Sequence, residues 1–399
     1  MGWRGARSVF ALCSVALISS WLAGCTDAVR REDASETGLR VVPQVQLDRF
    51  GNQVEPVANP TPADPSGNGS AVCPLLSLAM AGPLSGSASS LGVDINNGMQ
   101  LAIDKHNQAN LGCQIQLKTF DDEGDPAKSG AIVDKILEDA FTVGLVAGPT
   151  FAGEAHAAGE AFDRAGLATA TVAGLSGPRW RTSFEAVASD EVEGGAVAAY
   201  MTKTLGDHDV CVISDDGGDN AALALAVRDA LGPLADASCS VVVPGDGAGF
   251  GDAIARINAV GPDAVFFSGS YGSAAPFVDQ MRAGGVRAAF MSARLDPDFV
   301  GRAGAAAEGA ILSCGCSPAS EAFAKEYSER FGGEQPGPFS AEAYDLATIM
   351  LAGIDSGAIT RPALVDFMRA YDGQGVARRY QWTVDGELVN PLIWIYEVQ

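Results

Sequence analysis

Residues 73–120, CPLLSLAMAGPLSGSASSLGVDINNGMQLAIDKHNQANLGCQIQLKTF, read as strand, helix, strand. Leu75 to Met80 is a short apolar run closed off by Pro74 and Gly82, the pattern of a strand buried on both faces. Asp94 to Asn107 sets Ile95, Met99, Ala102 and Ile103 on one helical face. Cys113 to Phe120 alternates through Ile115 and Leu117 and reads as the next strand. Asp125-Pro126 then places an N-cap before a proline at the first helical position, opening a helix striped by Ile132, Ile136 and Ala140. Val143 to Ala147 is a strand, Glu154 to Arg164 a helix and Leu167 to Thr171 a strand.

The rhythm restarts after Asp190 with a helix to Leu205. Strands are expected at Asp209 to Ser214, Ser238 to Val243, Ala264 to Phe267 and Ala288 to Met291. Helices at Ala221 to Leu231, Gly251 to Val260 and Ala275 to Ala283 separate them. Three helix-like segments follow, Ser320 to Phe331, Ala341 to Ile354 and Pro362 to Ala370, then strand-like runs at Arg379 to Val384 and Leu392 to Val398. Two such series predict an α/β protein of two doubly wound lobes, each a parallel sheet with helices on both faces. Ligands of such sheets bind at the carboxyl ends of the strands, so the cleft between lobes is the expected site.

The 399 residues leave ample material for a buried core, and 47% hydrophobic against 19% charged residues excludes a disordered chain. With 26 Lys and Arg against 49 Asp and Glu, the net charge of -23 offers no basic footprint for nucleic acid. Three His make an all-histidine metal site a poor expectation. Residues 1–24 read as a secretory signal: Arg4 and Arg7, an apolar run from Val9 to Trp21, then Leu22-Ala23-Gly24-Cys25. The run is too short to span a bilayer, which takes about 20 residues. Leu22 to Cys25 resembles a bacterial lipobox, which implies lipidation at Cys25; ordinary cleavage near Ala23 is the alternative. Residues 25–71 are expected to form a flexible tether, because Asn59 to Gly67 is rich in Pro, Asp and Ser without periodicity. A packed strand around Arg40 to Val45 is the competing reading.

Met80-Ala81-Gly82-Pro83-Leu84-Ser85-Gly86, Leu91-Gly92 to Asn97-Gly98 and Asp121-Asp122-Glu123-Gly124-Asp125-Pro126 carry a resemblance. Val146 to Thr150, Ala165-Gly166-Leu167, Asp263 to Phe267 and Gly284-Gly285-Val286 continue it. In order and spacing, over about residues 72–399, these resemble the leucine/isoleucine/valine-binding type of periplasmic solute-binding protein. The resemblance implies a type I bilobed clamp with three crossovers. Lobe one would be 72–190 with 318–378, and lobe two 191–317 with 379–399. It implies a non-enzymatic receptor for an amino acid or related small polar or anionic solute, closing about its hinge and serving the permease of an ABC importer. It implies no cofactor and no metal. The expected location is outside the cytoplasmic membrane, on a lipid anchor. A sensor that signals ligand occupancy to a membrane partner is the alternative.

The same resemblance implies the site residues. Thr150, Phe151 and Ala152, then Ala173, Gly174 and Ser176, fall where the family holds the ligand carboxylate with loop amides and hydroxyls, a use of N–H groups that suits any anion. The family's serine after the third strand falls near Ala152, so Thr150 is expected to substitute for it. Tyr271 fits the aromatic role of lobe two, and Asp219 falls where a second aromatic is usual. Arg294 falls at the position of the family's ammonium-pairing acid. A guanidinium there implies a ligand with a negative group; pairing of Arg294 with Asp296 or Asp298 is the bland alternative.

Enzyme motifs are missing: Gly174-Leu175-Ser176-Gly177 and Gly269-Ser270-Tyr271-Gly272 miss the hydrolase elbow spacing, and Gly245 to Gly251 fails the dinucleotide fingerprint. His156 with Glu160 reads as a solvated helix face and Asp121-Asp122 as a loop feature. Of eight Cys, six remain after Cys13 and Cys25. Export permits disulfides. Cys73 and Cys113 begin neighbouring strands of lobe one, and Cys211 and Cys239 the matching strands of lobe two, within bridging reach. These pairs are expected, with Cys314–Cys316 as a third; free buried thiols are the alternative.

Overall fold

The computed structural model describes residues 38–55, 61–148, 158–174, 179–216, 220–245, 249–270 and 272–399. Cys25, Thr150, Phe151, Ala152, His156, Ser176, Asp219 and Tyr271 lie outside them. The continuous apolar run after Pro74 forms strand β3 (Leu76–Gly82), buried along its whole length. It pairs in parallel with β4 (Ile115–Asp121) on one side and β5 (Thr142–Ala147) on the other. β6 (Ala168–Thr171) and β7 (Ser183–Glu185) extend this five-stranded sheet in the order β4-β3-β5-β6-β7.

A second parallel set repeats the arrangement: β8 (Val210–Asp215), β9 (Val242–Val243), β10 (Ala264–Ser268), β11 (Ala289–Ala293) and β12 (Ile311–Cys314), in the order β9-β8-β10-β11-β12. In both sheets the first strand of the series lies between the second and third. That is the doubly wound order whose switch point makes a crevice at the strand carboxyl ends. A small antiparallel hairpin, β13 (Asp372–Gln374) with β14 (Arg379–Gln381), comes near the end of the chain. The last strand, β15 (Ile393–Val398), pairs antiparallel to β12.

Glycines set the helix packing at two places. The Ser89–Ala109 helix crosses the Ser340–Asp355 helix where a Cβ on Gly98 would lie 2.1 Å from the Ser340 carbonyl oxygen. A Cβ on Gly194 would lie 2.6 Å from that of Ala226, so the Asp190–Tyr200 and Asn220–Leu231 helices approach closely. The expected cap at Asp125 forms, its carboxylate accepting from the Ala127 N–H at 2.9 Å. Disulfides join Cys73 to Cys113, Cys211 to Cys239 and Cys314 to Cys316.

Several expectations are corrected. The tether of 25–71 does not hold for its described part: β1 (Val41–Leu47) adds antiparallel to β15 and β2 (Gln53–Val54) to β1, completing an eight-stranded mixed sheet. Leu47 is fully buried there. Further along, Ala71 N–H donates to Asn110 Oδ1 and Asn110 Nδ2 to the Ser66 carbonyl, each at 3.0 Å. The strands β7 and β12 were not expected, and β9 is only the end of the run expected from Ser238. The stretch from 379 does not enter the large sheet at once. Trp382 Nε1–H donates to the Glu185 carbonyl at 2.7 Å and Glu185 N–H to the Gly386 carbonyl at 2.8 Å, so this segment stays beside β7.

The chain therefore passes between the sheets from β2 to β3 and, at three adjoining places, after β7, after β12 and before β15. These three passages touch. A Cβ on Gly315 would meet the Val187 Cβ at 2.6 Å, and Tyr396 donates its hydroxyl to the Cys316 carbonyl at 3.0 Å. Arg378, buried, donates to the carbonyls of Gly315 and Leu392, to Ser317 Oγ at 3.0 Å and to Glu342 Oε1 at 2.8 Å.

Candidate ligand cleft

A small cavity, open to solvent, lies where the two sheets present their carboxyl ends. Val172, Ala173 and Gly174 line it from the end of β6, and Val187 from the passage after β7. Asp190, Glu193 and Leu223 line it from two helices, and Arg294, Cys314 and Gly315 from the ends of β11 and β12. Phe339 closes it from the start of the Ser340–Asp355 helix.

The loop after β6 is held by Thr171 Oγ1, which accepts the Ala173 N–H at 3.1 Å. Gly174 has no room for a side chain: a Cβ would lie 2.6 Å from the Ala188 carbonyl oxygen and 3.0 Å from the Asp190 nitrogen. The small-sheet loop thus abuts the amino end of the Asp190–Tyr200 helix. Asp190 and Glu193, three residues apart, share a face of that helix, and both are buried.

Glu193 Oε1 accepts the Ser313 hydroxyl at 2.8 Å. Burial pushes the Glu193 carboxyl up to about 7; the Ser313 bond and the Arg294 charge pull it down, and the neighbouring Asp190 charge adds to the rise. Arg294 follows the last residue of β11 and takes a left-handed backbone, φ 71°, which is uncommon for a residue with a side chain. Such backbone conformations cluster at functional sites, where the surrounding structure enforces them.

Of the residues the sequence pointed to, Ala173, Gly174 and Arg294 meet in this one cavity. The acids that flank Arg294 in sequence turn elsewhere: Arg302 pairs with Asp298 at 3.3 Å and with Asp296 at 3.6 Å. Burial raises the Asp296 carboxyl above the ordinary aspartate value. Sequence reasoning missed Asp190, Glu193, Leu223 and Phe339. Two acids in the first turn of a helix look like ordinary complements to its dipole, and nothing local shows that they face a cavity.

On another edge the halves also touch, Arg302 Nη2 donating to the Ser87 carbonyl at 3.2 Å and Ser90 Oγ to Asp298 Oδ2 at 3.4 Å. Asp121 closes a local loop, accepting the Leu84 N–H at 2.9 Å and the Ser85 hydroxyl at 2.7 Å, and is spent on structure. His106, Cys113 and Asp355 come together, but the Cys113 sulfur is bonded to Cys73 and His106 is fully buried against Asp355 at 2.8 Å.

Two doubly wound sheets joined by three adjoining passages, with a cavity between their carboxyl ends, define a bilobed α/β binding protein. The chain belongs to the periplasmic binding protein family, which matches residues 76–399. The family is one of extracytoplasmic binding proteins rather than enzymes, and no helix among the described residues is long and apolar enough to cross a membrane. An amino acid binding protein of Pseudomonas aeruginosa is 26% identical over 341 residues, 80% of this chain and 89% of the relative. A leucine-, isoleucine-, valine-, threonine- and alanine-binding protein of the same species is 23% identical over 342 residues, 81% and 89% of the two chains.

Among solved structures, the branched-chain amino acid transporter substrate binding protein of Streptococcus pneumoniae, in complex with isoleucine, superposes with a TM-score of 0.70. It is 22% identical and covers 80% of this chain and 95% of its own. A solute binding protein of an ABC transporter from R. palustris, in complex with benzoate, also gives 0.70, at 18% identity, covering 82% and 94%.

Proposed function

We propose that this chain is an extracytoplasmic receptor for an amino acid or a related small carboxylate, delivering it to an ABC importer. One observation carries the reading: Ala173 and Gly174 from one sheet and Arg294 from the other line a single cavity at the carboxyl ends. The names of relatives support it, because leucine, isoleucine and benzoate share a carboxylate.

Loop amides after β6 hold the carboxylate; the ligand-binding roles implied by the family resemblance for Thr150, Phe151, Ala152, Ser176, Asp219 and Tyr271 belong to the same proposal. Arg294 adds a second cationic recognition point, able to grip a carboxylate through two parallel N–H bonds. Closure moves the two lobes about the three adjoining passages, and the closed form docks on the permease. Residues from 72 to about 190 and from 318 to about 388 form lobe one. The segment from 191 to 317 forms lobe two with the last strand and β1. Cys25 carries the lipid that tethers the receptor to the membrane.

Mass spectrometry of small molecules released from gently purified protein, followed by calorimetry with each, tests the reading. A released carboxylate that binds again, and binds less tightly to Arg294→Ala, is the expected result. Release of a neutral sugar or a nucleoside would refute it. For the anchor, Cys25→Ser should leave the membrane fraction; unchanged fractionation would refute lipidation.

A further inference from the structure

We propose that Glu193 is a specificity-determining residue of this cleft: its carboxylate competes with the anionic group of the ligand for Arg294, so that the cleft takes up an anionic solute together with a proton. This rests on the receptor reading above and adds the charge state in which the receptor accepts its ligand.

The geometry is set by three neighbouring elements. In the sheet, Ala293 of β11 lies opposite Ser313 of β12, and Arg294 is one residue further on. The Ser313 hydroxyl holds Glu193 Oε1 at 2.8 Å. The acid is thereby fixed beside the strand end from which the arginine emerges, and both line the same cavity. Asp190, one turn earlier on the helix, is the other acid among the described residues lining that cavity, and its charge and that of Arg294 both act on Glu193.

With all three ionised, this trio carries one net negative charge. With Glu193 protonated it is neutral, and a ligand carboxylate meets Arg294 with one competitor fewer. An entering anion also raises the proton affinity of Glu193, since like charges disfavour ionisation. Proton and anion are therefore mutual effectors, each strengthening the other by the same factor. The ionisation of Glu193 near neutrality places this exchange in a physiological range.

Calorimetry with benzoate, L-glutamate and L-leucine, at pH 6 and pH 8 and in two buffers of different ionisation enthalpy, tests this. Wild-type protein should bind its carboxylate probe about tenfold more weakly at pH 8 than at pH 6, for one group titrating near 7. At pH 8 it should take up close to one proton per ligand. Glu193→Gln should bind without proton uptake, with equal affinity at both pH values, and more tightly than wild type at pH 8. Wild-type proton uptake is decisive even if that variant does not fold.

Binding with neither pH dependence nor proton uptake overturns the role of Glu193 and leaves the receptor reading standing. Wild-type dependence retained in Glu193→Gln overturns it too, and assigns the proton to another group. Failure of all three probes to bind either protein at either pH overturns the receptor reading, and this inference with it.

Discussion

Arg378→Met should be among the most damaging single substitutions in this chain. The guanidinium is buried where the three passages between the sheets meet, and it faces Glu342, which is fully buried. It supplies one ion pair at 2.8 Å and bonds to Ser317 Oγ and to the carbonyls of Gly315 and Leu392. Without it, Glu342 Oε1 keeps the Ser317 N–H at 2.7 Å but loses its counter-charge. Removing one partner of a buried ion pair costs about 3–5 kcal/mol, because an uncompensated charge remains in the interior.

Arg378→Met combined with Glu342→Leu removes both charges and should recover most of the loss. Equilibrium urea unfolding of the three proteins, followed by circular dichroism, reads these differences as shifts in midpoint at constant slope. A cost below about 1 kcal/mol for Arg378→Met at pH 8, or a double variant no better than the single one, would refute the reasoning.

Gly174→Ala should lower ligand affinity at least tenfold in calorimetry while the protein stays folded, because a Cβ would press on the Ala188 carbonyl at 2.6 Å and on Asp190; unchanged affinity would contradict the packing of this wall. Asp345, raised to about 7 chiefly by burial, against the N–H bonds of Ala377 and Val376, keeps a proton in the native state that the unfolded chain gives up. Its contribution to stability is therefore complete below the ordinary carboxylate range and is lost as pH rises through 7; Asp345→Asn should flatten the fall of the urea midpoint between pH 4.5 and 7.5. Opening Cys73–Cys113 by the double alanine variant should cost about 4 kcal/mol, from the chain entropy of a loop closed across 40 residues, read by thermal unfolding. Arg302→Ala removes a contact between the halves at Ser87, and small-angle scattering should show a larger radius of gyration in the ligand-free protein.

Much of the fold was legible because it is local. Leu75 to Met80 is apolar at every turn of the chain but one, and only a strand covered on both faces buries such a run. Asp125-Pro126 caps a helix by chemistry contained in three residues. Two of the three cysteine pairs followed from which strands begin together. The resemblance drew Ala173, Gly174 and Arg294 toward one cleft, and the cavity unites them.

What the sequence hid depends on partners far along the chain. Val41 to Leu47 sits beside a proline-rich stretch and looks like linker; it becomes a strand because β15, at the other end of the chain, offers it an edge and a buried pocket for Leu47. Residues 379–388 lie against β7 because Trp382 finds the Glu185 carbonyl there, a pairing no periodicity announces. Asp190 and Glu193 are two acids of a helix start, and they become part of a cavity only because the small-sheet loop at Gly174 and the ends of β11 and β12 close over them. The periodicity of a segment reports which face is apolar, whereas the charge and proton affinity of a cleft arise from side chains brought together from separate strands and helices. Those are properties of the assembled lobes, and only the tertiary structure decided them.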